Sequence, residues 1–517
     1  MGVVRRCSQL RNLAIERLIR HGSEIKEKAM TSVPGIRVRR CNALPARQDG
    51  EFILYWMVAS RRVTWNFAFD RAAEWAEKLR KPLIVLEALR CDYRWASDRL
   101  HSFLIDGMAD NACRLEGTGV LYYPFLEFEP NAGRGLLGAM AAHACVVITD
   151  DYPCFFLPHM VAAAAGQVPI RMEAVDSNGL LPMHLADRAF STAHSFRRFV
   201  QKNLPLHLCD FPKANALADL DFPPATALPR EVAYRWPAMS ADQLNRQCSF
   251  LGRLPMNHMV RPVAARGGNT SARALLRGFV RNKLDGYLDE RNEPERNATS
   301  GLSSYLHFGQ ISAHQVFSEI MQREGWTPSH LAVRATGSRT GWWGAGEFVE
   351  AFLDQLITWR ELGFNFCSQR TDYDRFTSLP EWALKTLRSH ARDERSHVYT
   401  LDEFERAETH DPLWNAAQTQ LLREGRIHNY LRMLWGKKIL EWTRTPEEGL
   451  EIMVELNNKY ALDGRDPNSY SGIFWCLGRY DRPWGPERPI FGTVRYMSSE
   501  NTARKFRLKD YVRRYAS

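Results

Sequence analysis

Phe52-Ile53-Leu54-Tyr55-Trp56-Met57 is an uncharged apolar run of strand length, rich in aromatic and branched side chains. A strand in the middle of a parallel sheet is buried on both faces and needs such a run. Outward from it the pattern repeats. Residues 68–79 have helical periodicity. Pro82-Leu83-Ile84-Val85-Leu86, Gly119-Val120-Leu121-Tyr122-Tyr123 and Cys145-Val146-Val147-Ile148-Thr149-Asp150 read as three more strands, each followed by a helical stretch. Strand–helix alternation at this spacing predicts an α/β domain with a Rossmann-like parallel sheet over residues 35–202. Asp150, Asp151 and Asp176 fall at strand ends, where open α/β sheets bind ligands. The ordinary reading of each singly is a cap.

The texture changes after residue 202. Pro205, Pro212, Pro223, Pro224, Pro229, Pro237, Pro255 and Pro262 punctuate a stretch with little periodicity, which reads as a connector over 203–264. Beyond it strand signals vanish and helices dominate to about residue 460, among them 313–323, 348–367 and 428–443. Residues 461–497, rich in Gly, Pro and aromatics, read as ordered loops. The second domain, 265–517, is therefore expected to be all-α. Residues 1–34 read as an N-terminal extension. Arg5, Arg6, Arg11, Arg17 and Arg20 suit an organelle leader, but Glu16, Glu24 and Glu27 count against one, and Met30 is an alternative start.

A chain of 517 residues is too long for one core. Its net charge of +10 favours a polyanionic partner. None of its 10 cysteines forms a CxxC pair, which argues against zinc modules and thiolate-held clusters and fits reduced thiols in a cytosol. No metal is expected, and no apolar run approaches membrane-spanning length. Trp, at 15 residues, is frequent, and indole both stacks on bases and passes single electrons.

Three constellations carry chemistry. Residues 299–312 (TSGLSSYLHFGQIS) set hydroxyls and a glycine before a helix start, which suits phosphate. His428, Arg432, Trp435, Ile439 and Trp442 share one helix face, and an arginine among indoles needs a counter-charge, from Asp463 or Asp466. Residues 456–468 (LNNKYALDGRDPN) gather polar groups after an apolar helix.

Together with Leu413-Trp414-Asn415-Ala416-Ala417-Gln418, Gly425-Arg426-Ile427-His428, Leu431-Arg432-Met433, Lys437-Lys438-Ile439-Leu440-Glu441-Trp442, Arg488-Pro489-Ile490-Phe491-Gly492 and Arg495-Tyr496-Met497, these segments resemble the photolyase–cryptochrome family. The resemblance is nearest to the class II cyclobutane pyrimidine dimer photolyases. Upstream, Leu54-Tyr55-Trp56-Met57 and Arg62-Val63 resemble the family's opening strand. The resemblance implies an α/β antenna domain, a helical domain holding FAD, and light-driven electron transfer from reduced FAD to a thymine dimer flipped out of UV-damaged DNA. A monomer is implied, in the cytoplasm, at the nucleoid in a bacterium.

Carried over by position, Tyr287, Ser300, Leu302, Ser303 and Gln310 would contact the FAD phosphates and ribityl chain. Arg432 and Asp463 would pair beside the isoalloxazine, Asn457 would face its N5, and Asp466 would lie against the cofactor. Trp435, Trp414 and Trp442 match the family's electron relay, in order from flavin to surface, and Tyr399 stands near its end. Leu434 replaces a second relay tyrosine. Trp359 and Trp475 match the pair flanking the flipped dimer, with Met433 beneath it. Arg360, Lys437, Arg465, Lys505 and Arg507 are candidates for flanking phosphates.

The pattern is broken at four places. Gln355 stands where class II has the glutamate that binds the dimer carbonyls, so repair with a lower yield is expected. Asn429 replaces a glycine and offers a partial substitute for that polar contact. Asn458 replaces an aspartate. Trp65 interrupts the polar motif before Asn66, which leaves the antenna chromophore open: a deazaflavin, another pigment or none. The alternatives are a cryptochrome-like photoreceptor and a photolyase for another lesion. The chain ends 20 residues past Met497, without the long tail common in cryptochromes. Repair of six-four photoproducts calls for a histidine pair, and His428 has no evident partner. A basic helical nucleic-acid binder without cofactor would show no flavin bands.

Overall fold

The computed structural model describes residues 33–516, except 219 and 226. The predicted extension, with its arginines and Met30, thus lies almost wholly outside the described residues. Six strands form one sheet: β1 Val38–Arg40, β2 Phe52–Trp56, β3 Leu83–Leu89, β4 Leu121–Leu126, β5 Ala144–Asp150 and β6 Met172–Val175, in the order β1-β6-β5-β2-β3-β4. All neighbours run parallel except β1, antiparallel to β6 at the edge. Every residue of β2 and β5 is buried, as their apolar runs require, including Thr149 and Asp150 at the end of β5. The two strands the sequence did not announce, β1 and β6, are short and carry charge. β6 holds the buried Glu173, whose carboxylate is matched by Arg71 Nε at 2.8 Å and the Trp75 indole N–H at 3.1 Å.

The strand-end carboxylates are structural. Asp150 accepts the backbone N–H groups of Val58, Ala59 and Ser60 at 2.8, 2.8 and 3.0 Å. Asp151 binds Arg39 and His184, and Asp176 accepts from the N–H groups of Asn178 and Met183. Asn66 caps the helix Phe67–Leu79 by accepting from the Ala68 N–H, and its Nδ2 is spent on Tyr55, Ser60 and Arg62. The proline-rich segment after residue 203 runs beside the free edge of β4: the Met239 N–H donates to the Pro124 carbonyl at 2.8 Å. A covered edge cannot pair with another chain.

The helices at 313–323 and 428–443 are found as Ala313–Arg323 and Asn429–Trp442. The stretch predicted as one helix over 348–367 is Glu347–Leu353 and Arg360–Gln369, joined by a wide π-helical turn at Asp354–Trp359. Such turns gather at functional sites, and this one carries Gln355 and Trp359. The segment 461–497 is not all loop, because Pro467–Cys476 is a helix. Asp466 accepts from the Asn468 N–H and Pro467 sits in the first turn, which is a start signal that the Gly- and aromatic-rich composition hid.

The halves are pressed together. At Gly309 (φ +63°) a side-chain carbon would fall 2.1 Å from the Ala59 carbonyl oxygen, so only glycine fits. Glu361 reaches from the helical half to accept the N–H groups of Leu180 and Leu181 at 2.7 and 3.1 Å. Burial pushes its pKa up to about 7 despite Arg360 and Arg37 nearby. A carboxyl with a higher pKa folded than unfolded adds stability that is complete below the unfolded value and lost as pH rises through about 7. Glu361 therefore contributes a loss of up to about 3 kcal/mol between pH 4.5 and 8. Burial also raises Asp70 to about 7, so it adds to the slope in the same window. Urea midpoints should fall over this range, and Glu361→Gln should flatten the fall while costing stability at low pH, where one accepted hydrogen bond is lost. An unchanged slope would remove Glu361 from the account.

Candidate active site

The site is built on the helix Asn429–Trp442 and the loop after the helix Pro446–Tyr460. Arg432 Nη2 donates to Asp463 Oδ1 at 2.9 Å, so Asp463, not Asp466, is the counter-charge. Burial alone would raise the Asp463 pKa. The Arg432 charge and the hydrogen bonds from Arg432 and Ser303 outweigh it and hold the carboxyl below its usual value. Neither side chain is sealed, at 22% and 14% exposed, so one side of the pair stays open to a ligand.

Ser303 brings the 299–312 segment to this pair. It begins the helix Ser303–His307, whose preceding residue Leu302 is buried. Ser300 Oγ accepts weakly from the Leu302 N–H at 3.4 Å, and Gly301 (φ +71°) faces open space. Tyr287 is buried against Phe279 and Phe352, beneath the Arg291 guanidinium. The Arg291 carbonyl accepts from His428 Nε2 at 3.1 Å, which ties Tyr287 to the start of the Arg432 helix. Asn457 Nδ2 donates to Asn458 Oδ1 and Ser469 Oγ at 3.1 and 2.9 Å, which fixes the amide and leaves its carbonyl oxygen without a described protein donor. Asn458 also accepts the Arg465 N–H at 2.9 Å and donates to the Tyr470 hydroxyl, so as an amide it locks the loop from both ends. Asp466 takes the Tyr152 hydroxyl at 3.1 Å and lies 3.4 Å from His307 Nδ1. Tyr152 escaped the sequence reading, because it stands 314 residues away in the other half.

Gln310 stands apart from this group. Its amide accepts from the Gly268 N–H at 2.8 Å and donates to the Phe103 carbonyl at 3.2 Å. It is a buried strut between the halves, with each end of its amide engaged by the protein.

Three buried tryptophans run away from the Arg432 pair. Trp435 and Trp414 stack at 6.5 Å between ring centroids with 5° between planes, and Trp414 meets Trp442 at 6.1 Å. Trp435 Nε1 donates to Gln418 Oε1 at 2.9 Å, and Trp414 Nε1 to the Trp435 carbonyl at 3.0 Å, so both planes are fixed. Tyr399, partly exposed, meets Trp442 at 5.7 Å. Leu434 is buried core.

Trp359 and Trp475 stack on each other at 4.6 Å and 17°. They are brought together as predicted, but with no gap between them for a base. Met433 lies beside Cys476, its sulfur 4.0 Å from the thiol. Gln355, on the π turn, makes no side-chain hydrogen bond to a described residue, and Asn429 is exposed at its helix start. Three of the predicted phosphate contacts are overturned. Arg360 donates to the Asn178 carbonyl at 2.7 Å, Lys437 to the Cys476 carbonyl at 2.6 Å, and Arg465 to carbonyls of its own loop. Burial brings the Lys437 ammonium down to about 8. Each charge is spent inside the protein because a buried cation must be paired. Lys505 and Arg507 remain on the surface.

A cavity of about 530 Å³ opens at the carboxyl ends of β2, β3 and β4. Trp56, Leu86, Phe125 and Phe155 line it, and His307 and Arg465 close it from the helical half. Open α/β sheets bind ligands at this end.

This chain is 37% identical over 480 residues to a deoxyribodipyrimidine photo-lyase of Methanothermobacter thermautotrophicus, covering 92% of this chain and 97% of that protein. It belongs to the photolyase family. The rice deoxyribodipyrimidine photo-lyase is 34% identical, covering 90% of this chain and 87% of the relative. No family model matches. Among solved structures, a class III photolyase from Agrobacterium tumefaciens superposes with a TM-score of 0.63 at 16% identity, covering 90% of this chain and 86% of that one. A photolyase from Sulfolobus tokodaii, described with two FAD molecules and a light-harvesting cofactor, gives 0.61 at 14% identity and 90% coverage of both. The photolyase fold, a largely parallel α/β half and a helical half, is the architecture described above. Among the described residues, no helix is long and apolar enough to cross a membrane.

Proposed function

We propose that this photolyase-family chain repairs cyclobutane pyrimidine dimers in DNA with light, using FAD held at the Arg432–Asp463 pair. The carrying observation is convergence: an ion pair open on one side, the Ser300–Ser303 hydroxyls and a fixed Asn457 amide meet at the start of a buried tryptophan column. This donor set fits FAD. Ser300, Ser303 and the amides around Leu302 suit its phosphates, Tyr287 backs that segment, and the ion pair suits the polar edge of a flavin ring. When bound and reduced, FAD supplies an electron on excitation.

The chain's own residues do the rest. Asn457 offers a carbonyl oxygen oriented by Ser469 and Asn458. Asp466 fixes the loop against Tyr152. Trp435, Trp414 and Trp442 conduct electrons inward from the surface to activate oxidised cofactor. Trp359 and Trp475 must part, or offer their outer faces, to hold an extruded dimer, and each stacked base contributes about 1–3 kcal/mol. Met433 packs beside Cys476, the neighbour of Trp475, Asn429 is assigned to the dimer from the exposed start of the Arg432 helix, and Lys505, Arg507 and the net charge of +10 favour DNA. The class II assignment, an antenna half over 35–202, a connector over 203–264 and an FAD half over 265–517 belong to this reading, as does a monomer. The cavity above the sheet suits a flat, largely apolar pigment such as a deazaflavin.

Gln355 supports a second reading, a cryptochrome-like receptor or another lesion. An amide donates a hydrogen bond to a dimer carbonyl but cannot supply a proton at neutral pH. Illuminating the reduced protein with dimer-containing oligonucleotide, and assaying restored thymines against a dark control, tests the proposal. Gln355→Glu should raise the repair yield severalfold. Equal yields would remove this role from Gln355, and no light-dependent repair by either protein would favour the receptor.

A further inference from the structure

The tryptophan column runs out at Tyr399, which the resemblance sets near its end, and at His410, which has no task so far. His410 packs at 4.9 Å against the Trp442 ring. Its Nδ1 lies 2.7 Å from the Tyr399 hydroxyl, and its backbone N–H donates to that same oxygen at 2.9 Å. His397 stacks on the far face of the imidazole at 3.7 Å and 14°. Tyr399 is thus held at Trp442 by one residue that fixes its oxygen and offers it a base.

We propose that Tyr399 and His410 form the proton-coupled terminus of the relay, Tyr399 giving the electron and His410 Nδ1 taking the phenolic proton. The inference rests on the relay proposed above. With an oxidised flavin bound at the cleft, light would draw an electron from Trp435, and Trp414 would pass the resulting hole on to Trp442. One electron then passes from Tyr399 to the Trp442 radical cation, and the O–H proton passes to His410. The products are neutral Trp442, a neutral tyrosyl radical and an imidazolium. External thiol can later return an electron with a proton to the tyrosyl oxygen, and the imidazolium gives its own proton to solvent.

Three features favour this direction. Losing the proton together with the electron avoids the strongly acidic phenol radical cation that electron loss alone would leave. Lys438 Nζ lies 5.2 Å over the Trp442 ring, so a positive hole is disfavoured there, an effect moderated by Glu441 at 2.8 Å from the ammonium. The imidazole is neutral and able to accept. Partial burial, His397 and Lys438 lower its pKa, against opposing pulls from Asp411 and Glu441.

Two measurements test this. Flash photolysis of the flavin-loaded full chain should show the tryptophan radical giving way to tyrosyl, more slowly in D2O. His410→Phe should cut the tyrosyl yield at least about tenfold, and His410→Gly should regain it with added imidazole. Tyr399→Phe should give none. A tyrosyl yield unchanged in His410→Phe, or no isotope effect, would overturn the proposal. Absence of any tryptophan radical would instead overturn the relay beneath it. Without flavin, nitrogen-15 histidine NMR should find His410 as the Nε2–H tautomer, with Nδ1 accepting, and Tyr399→Phe should shift that nitrogen. An Nδ1–H tautomer would overturn the proposal on its own.

Discussion

Asp463→Ala is expected to empty the flavin site. The substitution leaves the Arg432 guanidinium without its only anionic partner among the described residues. Breaking a fully buried pair costs about 3–5 kcal/mol. Arg432 is 22% exposed, so solvent relieves part of this, and about 2 kcal/mol of stability should go. The cofactor suffers as well, since the unpaired guanidinium is free to swing out of the cleft. FAD affinity should drop at least about tenfold, which is about 1.4 kcal/mol of binding. Asp463→Asn keeps a hydrogen-bond acceptor and should retain more FAD than alanine. Gel filtration followed by flavin fluorescence measures both. Full FAD retention by Asp463→Ala, with the fold intact, would place the cofactor elsewhere.

Trp435→Phe should separate activation from repair. Trp435 is 2% exposed and stacks on Trp414, so it is the first aromatic of the column beyond the Arg432 turn. Phenylalanine fills most of the volume but is far harder to oxidise. Photoreduction of oxidised enzyme should slow at least about tenfold, equivalent to a barrier rise of about 1.4 kcal/mol. Repair by chemically prereduced enzyme should be unchanged, because that step draws no electron through the column. The change also strips Gln418 Oε1 of its indole donor, an unsatisfied buried acceptor costing about 1–3 kcal/mol, so flavin content must be matched between samples. Equal photoreduction rates would dismiss the relay.

Where these residues could be read in advance, the physics was local. β2, β3, β4 and β5 are largely apolar, interrupted by Glu87 in β3 and closed by Thr149-Asp150 in β5, as parallel strands covered on both faces require. β1 and β6 were illegible because they are three and four residues long and carry Arg39 and Glu173, whose partners lie far along the chain, beside the exposed Arg40. Arg432 announced that it needed an anion; its spacing left Asp463 and Asp466 open, the resemblance pointed to Asp463, and the 2.9 Å pair agrees with it. The helix Pro467–Cys476 had its Asp-Pro start in plain sight. The π turn at Asp354–Trp359 left no mark in the periodicity. Lys437, Arg360 and Arg465 look like surface charge in sequence, and only backbone carbonyls, from distant segments for Lys437 and Arg360 and from its own loop for Arg465, let them be buried. Gln310, read as a cofactor contact, has each end of its amide engaged by Gly268 and Phe103, partners from segments that sequence does not bring together.

The direct test of the central claim, a flavin at the Arg432–Asp463 cleft, is the FAD content of the purified full chain after reconstitution with excess FAD. The account predicts flavin absorption bands, at least one FAD per chain released on denaturation, and a marked deficit in Asp463→Ala measured in parallel. A colourless protein that takes up no FAD would contradict it.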